Sequence, residues 1–294
     1  MIKYDYIRVE DRKHLSELLR TYGDTAKMIA GGTDLMVQIR EQSGKLSNMK
    51  MMLDISSLEN QMKYIRVDSH ELVIGALSTH TDIEKNIAVQ RYLPSLCQAC
   101  SLVGSPQIRN MGTIGGSICN GSLAADPVPP LLAGGAYLVL CKGDIERTVM
   151  LEDFFLGGGK TALQSGEYLL EVRVPLADGV IYEAFEKLGR RKALAISRLN
   201  AAVRYTLDEN GLINWVRLVP GCTFSIPQRA RKAEELLLGK CPSKPLFEEA
   251  GKAVSKEMID KTGIRWSTAY KQPAIEGVIE KVLLTAAGMW EEEA

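Results

Sequence analysis

Two glycine-rich segments hold the residues of this 294-residue chain best suited to chemistry. The longer, Ser105 to Ala136, reads SPQIRNMGTIGGSICNGSLAADPVPPLLAGGA and lies between two apolar stretches. It carries six glycines (112, 115, 116, 121, 134 and 135), Asn110 and Asn120, small hydroxyl residues and one acid, Asp126. The shorter, Ala30-Gly31-Gly32-Thr33-Asp34-Leu35, follows the apolar pair Met28-Ile29. A backbone this permissive can approach a ligand closely and turn its N–H groups toward an anion. Each segment alone reads as a tight turn. Together they point to one large phosphate-bearing cofactor held from two sides. Neither matches G-x-G-x-x-G or G-x-x-x-x-G-K-[ST], so the common dinucleotide and P-loop sites are excluded.

The pattern A-G-G-T-D-L (Ala30 to Leu35), followed by P-Q-I-R-N-x-G-T-I-G-G-S and an Ala-Asp pair (Pro106 to Asp126), resembles the FAD-binding subunit of the xanthine dehydrogenase, or molybdenum hydroxylase, family. Phe185 to Arg191 is similar to that family's lysine-plus-arginine segment. PQRARKAEELLLG (Pro227 to Gly239) and RWSTAYK (Arg265 to Lys271) resemble motifs of its C-terminal domain. The resemblance spans nearly the whole chain.

It implies a site for FAD. Main-chain N–H groups cradle a pyrophosphate without a lysine where the backbone turns tightly. Gly31, Gly32, Thr33 and Asp34 are expected to do so from one side, and Thr113, Gly116, Ser117 and Asn120 from the other. By resemblance, Ile29, Ala30 and Leu35 flank the first loop, while Val103, Gly112 and Cys119 flank the second. Asp126 resembles the family acid that bonds a hydroxyl-rich part of the cofactor; it also reads as a helix N-cap before Pro127. Asp34 has the same second reading, as cap of a helix from Leu35. Leu169 resembles an apolar residue packed on the cofactor. Lys187 is expected to arrive from the C-terminal domain, where a cation favours the reduced, anionic flavin.

These residues need elements to place them. Asp11 to Tyr22 has Leu15, Leu18, Leu19 and Tyr22 at helical spacing. Lys27 to Ala30 reads as a strand feeding the first loop, and Leu35 to Arg40 as a helix. Met51–Ile55, Tyr64–Val67 and Leu72–Ile74 have strand character. Thr79 caps a helix through Ile83, and Ala88 to Val103 reads as one longer helix ending at Gly104. Strands follow at Ala136–Cys141 and Tyr168–Val174. Past an exposed turn at Ala177-Asp178-Gly179, strands are expected at Tyr182–Lys187, Leu199–Leu207 and Ile213–Val219, the last two joined by the hairpin turn Asp208-Glu209-Asn210-Gly211. Helices at Gln228–Leu238, Leu246–Met258 and Ile275–Ala287 complete the chain. The expected fold is α+β: an FAD-binding domain over 1–177, in two parts with mixed sheets and a break near 56–62. A C-terminal domain over 178–294 adds an antiparallel sheet with helices on one side, resembling the CO dehydrogenase flavoprotein C-terminal domain.

Thirty-six basic residues balance thirty-six acidic ones, which gives no footprint for nucleic acid or an anionic membrane. The charged N-terminal stretch lacks the apolar core of a signal peptide, and no run suits a spanning helix, so the expected location is cytoplasmic. Of six cysteines only Cys97 and Cys100 are closely spaced. They read as buried thiols of an apolar helix face rather than as cluster ligands, and the inserted cysteine-rich segment of some family members is absent. The three histidines (14, 70 and 80) form no triad or metal-ligand pattern, so no catalytic or metal-binding residue is assigned.

The resemblance implies an FAD-carrying oxidoreductase subunit that works beside a molybdopterin-binding large subunit and a small subunit with [2Fe–2S] clusters. Electrons would pass from the clusters to FAD and on to NAD or another acceptor. Two alternatives are a stand-alone FAD oxidoreductase of a related two-loop fold and a non-catalytic assembly subunit. Intact glycines in both loops count against lost binding, and the motifs at Pro227 and Arg265 fit the hydroxylase family better.

Overall fold

The computed structural model describes residues 3–191 and 193–290. The chain opens on a parallel sheet of β1 (Asp5–Arg8), β2 (Ala26–Ile29) and β3 (Met51–Asp54), with β3 between the other two. Helix Arg12–Tyr22 links β1 to β2. Its start is set by Asp11, whose carboxylate accepts from the His14 N–H at 2.7 Å, and it buries Leu15 and Leu19. Helix Leu35–Arg40 follows the first glycine loop.

Helix Glu59–Met62 leads to the second sheet. Its strands are β4 (Ile65–Asp68), β5 (Glu71–Gly75), β6 (Tyr137–Lys142), β7 (Ile145–Met150) and, after a small hairpin of β8 (Phe155–Gly157) and β9 (Lys160–Thr161), β10 (Tyr168–Pro175). The order is β4-β5-β10-β6-β7, antiparallel throughout. Between β5 and β6 the chain folds into six short helices. The expected continuous helix over 88–103 is two, Ile87–Tyr92 and Pro94–Ser101. Pro94 has no N–H to extend the first helix but suits the first turn of the second. The second helix carries Cys97 and the buried Cys100.

The last sheet pairs β11 (Tyr182–Leu188), β12 (Leu199–Leu207) and β13 (Ile213–Gly221) antiparallel in sequence order. Asp208 shapes the β12–β13 turn by accepting from the N–H groups of Asn210 and Leu212, with Gly211 at φ +76°. One face packs on helices Arg231–Leu237, Lys244–Thr262 and Thr268–Ala286 through Val203, Tyr205, Phe247 and Ile279. The other face is covered as well. Phe185, Ala202 and Val219 join the core of the preceding part, where helices Pro94–Ser101 and Val128–Ala133 meet the sheet. The helix expected from Ile275 begins earlier, at Thr268, and runs through Pro273.

Candidate functional site

The first glycine loop leaves β2 at Ile29 and turns into helix Leu35–Arg40. Among the described residues, the N–H groups of Gly31, Gly32, Thr33 and Asp34 have no acceptor within the chain. The two glycines serve different needs. Gly32 sits at φ +70°, a left-handed conformation that side chains resist. Gly31 instead lies against the second loop, where a Cβ would be 1.7 Å from the Met111 carbonyl oxygen.

The second loop is not a loop throughout but three short helices, Pro106–Met111, Ile114–Cys119 and Val128–Ala133. Thr113 caps the middle one, its Oγ1 accepting from the Gly116 N–H at 3.1 Å. Residues 76–80 brace this helix from behind. The His80 N–H donates to Gly112 O at 3.0 Å, Ile114 N–H to Ser78 O at 2.9 Å, and Gly115 N–H to Ala76 O at 2.9 Å. Gly115 allows this contact, since a Cβ there would meet the Ala76 oxygen at 2.7 Å. Gly116 lines the cavity, and a Cβ at that position would press on the capping Thr113 Oγ1 at 3.0 Å while meeting nothing else within 4 Å apart from its chain neighbours and its own helix backbone. The main-chain N–H groups from Ile114 to Ser117 are thus engaged inside the protein, so this side offers hydroxyl and amide side chains. The Gln38 amide donates to Asn120 Oδ1 at 3.1 Å and ties the helix after the first loop to the second loop.

Between the loops lies a cavity of about 660 Å³. Pockets for small molecules and cofactors run to about 300–1,000 Å³. Of the residues expected at the site, Ile29, Ala30, Gly31, Gly32, Thr33, Asp34, Leu35, Thr113, Gly116, Ser117, Cys119, Asn120 and Leu169 line it. Val103, Gly112, Asp126 and Lys187 do not. Gly112 lies behind the wall, against the His80 ring. The Val103 carbonyl accepts from Arg109 at 3.3 Å. Asp126 and Lys187 pair with each other at 2.6 Å where the last sheet meets the preceding helices. Asp126 also accepts from Ser197 Oγ and Asn200 Nδ2, and Lys187 donates to Leu102 O at 2.8 Å. The helix after Pro127 takes no side-chain cap from Asp126, nor does the helix from Leu35 take one from Asp34.

A third wall escapes the sequence reading. The β8–β9 hairpin carries Gly157, Gly158 and Gly159, all left-handed, and with residues 160–167 it closes one side of the cavity. Three consecutive glycines before β10 were the available signal. Gln38, one helical turn beyond Asp34, also lines the cavity and was not among the expected site residues.

Net charge does not create an anion site here. Lys27 and Lys160 line the cavity beside Asp24, Asp34 and Glu167. Glu167 is bound by Arg147 at 2.6 Å and 2.8 Å, and that bond holds its carboxyl below the usual range. Burial raises the Asp34 carboxyl, and it pushes the Cys119 thiol up to about 12, so Cys119 is a protonated, apolar part of the wall. What remains for a phosphate is the row of unengaged N–H dipoles and the hydroxyls opposite them. That arrangement fits a pyrophosphate-bearing cofactor.

Comparison with known proteins bears on which cofactor. Residues 2–177 match the FAD binding domain in molybdopterin dehydrogenase, and residues 183–286 the CO dehydrogenase flavoprotein C-terminal domain. The chain belongs to the molybdopterin dehydrogenase FAD-subunit family. It is 33% identical over 288 residues to the nicotinate dehydrogenase FAD-subunit of Eubacterium barkeri, covering 97% of this chain and 96% of that one. It is 28% identical over 286 residues to the xanthine dehydrogenase FAD-binding subunit of Escherichia coli O157:H7, covering 96% and 97%. A solved chain of the carbon monoxide dehydrogenase from Hydrogenophaga pseudoflava superimposes with a TM-score of 0.88 at 28% identity, over 99% of this chain and 100% of that one. The cofactor of this FAD subunit is accordingly FAD, and its class is oxidoreductase. No helix among its described residues is long and apolar enough to cross a membrane.

Proposed function

We infer that this FAD subunit relays electrons within a molybdenum hydroxylase complex, from [2Fe–2S] clusters of a small partner subunit to FAD, and on to NAD or another acceptor. A large molybdopterin-binding subunit would carry the organic substrate. The observation that supports the reading most is the cavity between the two glycine loops, in a chain whose relatives are named as FAD subunits of dehydrogenases.

FAD, when bound, supplies the redox chemistry, and the protein supplies binding and orientation. In this reading the N–H groups of Gly31 to Asp34 hold the pyrophosphate from one side. Ser117, Thr113 and Asn120 bind from the other. Leu35, Cys119 and Leu169 exclude water along the walls. We place Val103, Gly112, Asp126 and Lys187 in support of this site, at or behind the junction of the 1–177 and 178–294 parts. The test is reconstitution. Acid treatment of the purified chain should release FAD, and the chain alone should not oxidise an organic substrate. Adding the iron–sulfur and molybdopterin subunits should let substrate electrons reduce its flavin. Full turnover by the isolated chain, or failure to associate with an iron–sulfur subunit, would favour a stand-alone flavoenzyme instead.

A further inference from the structure

His80 lies outside the cavity lining but touches a residue that belongs to it. The ring is 2% exposed, and its Nε2 is 3.2 Å from Ser117 Oγ. Its Nδ1 is buried with no partner. The ring is fixed on several sides. Thr79 and Asp82 form a capping box at the start of helix His80–Lys85, and the His80 N–H is bonded to Gly112 O. Gly112 leaves just enough room, since a Cβ there would be 3.1 Å from His80 Cδ2. The charged group facing the ring is Arg109, itself paired with Glu84 at 3.2 Å. Burial first, and then Arg109, lowers the imidazole to about 4, so it is neutral near pH 7.

A neutral imidazole has two tautomers with opposite consequences for Ser117. With the proton on Nδ1, a buried donor would be left unbonded and the Ser117 hydroxyl would donate backward to Nε2. Only oxygen lone pairs would then face the cavity, and these repel a phosphate. With the proton on Nε2, the ring donates to Ser117 Oγ and the hydroxyl proton is free to point forward. Buried unbonded donors are rarer than under-used acceptors, which favours the second arrangement. A pyrophosphate only accepts, so its binding selects the same one.

We propose that His80 is a positioning residue that donates from Nε2 to Ser117 and so turns the Ser117 hydroxyl into a donor for a phosphate oxygen of FAD. The proposal rests on reading the cavity as the FAD site, and the controls separate the two. The full-length chain, stripped of flavin, is titrated with FAD by fluorescence as wild type, His80→Phe, His80→Gln, Ser117→Ala, the His80→Phe/Ser117→Ala double variant and Gly116→Val. His80→Phe keeps the ring's bulk and should raise the FAD Kd about tenfold, the size of one hydrogen bond to a charged group. His80→Gln, whose amide can still donate, should recover most of that loss. The double variant should bind no more weakly than Ser117→Ala alone. Nitrogen NMR of histidine-labelled holoprotein should show Nε2 protonated and Nδ1 bare. Wild-type affinity in His80→Phe, no recovery in His80→Gln, additive losses in the double variant or an Nδ1-protonated ring would each overturn the role of His80, while loss of FAD in Gly116→Val keeps the site. Retention of FAD by Gly116→Val would overturn the site reading and this proposal with it.

Discussion

Replacing Lys187 with methionine tests whether its contact with Asp126 is a buried clasp between the last sheet and the helices before it. The side chains of Lys187 and Asp126 are 9% and 6% exposed, and their charged atoms are 2.6 Å apart. At an effective dielectric near 20, two unit charges at that distance attract by about 6 kcal/mol. Most of this offsets the cost of taking both ions out of water, so the pair adds little compared with apolar residues of the same shape. Removing one partner is a different perturbation. Asp126 would keep Ser197 and Asn200 on Oδ1 but lose the cation on Oδ2, and leaving such a charge buried costs about 3–5 kcal/mol. Lys187→Met should therefore lower the thermal midpoint by roughly 10 °C, given ~2–4 °C per kcal/mol for domains of this size. Asp126→Asn combined with Lys187→Met should restore at least half of the loss, because an amide needs no counter-charge. The assay is calorimetry of the two variants beside wild type, with flavin content measured on each. If Lys187→Met melts at the wild-type temperature, the pair is not a buried clasp. If it also shifts the flavin's reduction potential with FAD content intact, Lys187 acts on the cofactor as the family resemblance implies.

Gly31→Ala should destabilise the protein and lose FAD together, because its Cβ would push the two loops apart at Met111. Gly116→Ala should bind FAD at least tenfold more weakly at a modest cost in stability, since its methyl group lies on the cavity side but 3.0 Å from the capping Thr113 Oγ1; equal FAD affinity in Gly116→Ala and wild type would mean the cofactor lies elsewhere. His80 should make the chain acid-sensitive. Its native pKa of about 4 lies below the unfolded value of 6.5, so its contribution is complete above pH 6.5 and is lost as pH falls toward 4, by about 3 kcal/mol in all. The thermal midpoint of His80→Phe should thus fall less steeply than that of wild type between pH 6.5 and 4, and parallel slopes would refute the buried neutral ring.

Local chemistry is what the sequence made legible. Thr79 as a helix cap, the Asp208–Gly211 turn and the strands β12 and β13 that it joins rest on local signals, and they stand where expected. The glycine loops were legible for the same reason, and thirteen of the seventeen expected site residues line one cavity. The exceptions depend on separation. Asp126 meets Lys187, Ser197 and Asn200 across 61 to 74 residues, and no periodicity reports such a contact. The β8–β9 hairpin has strands of three and two residues, too short for alternation to register. Helices of six residues within the long glycine segment likewise complete too few turns to show a period.

The two glycine loops look alike in sequence but differ in how their backbones are bonded. The second is braced, with its N–H groups bonded to residues 76 and 78 or to its own helix cap, so it presents side chains in fixed positions. The first has N–H groups without internal partners and is held in place where Gly31 abuts Met111. Donors left unsatisfied in this way are costly in a folded protein unless water or a ligand takes them. At the proposed FAD site, the N–H groups of Gly31 to Asp34 would be the main-chain donors left for an anion. On that reading the braced loop would set where the cofactor binds, through Gly31's contact with it, while the unbraced loop would set how tightly the pyrophosphate is held.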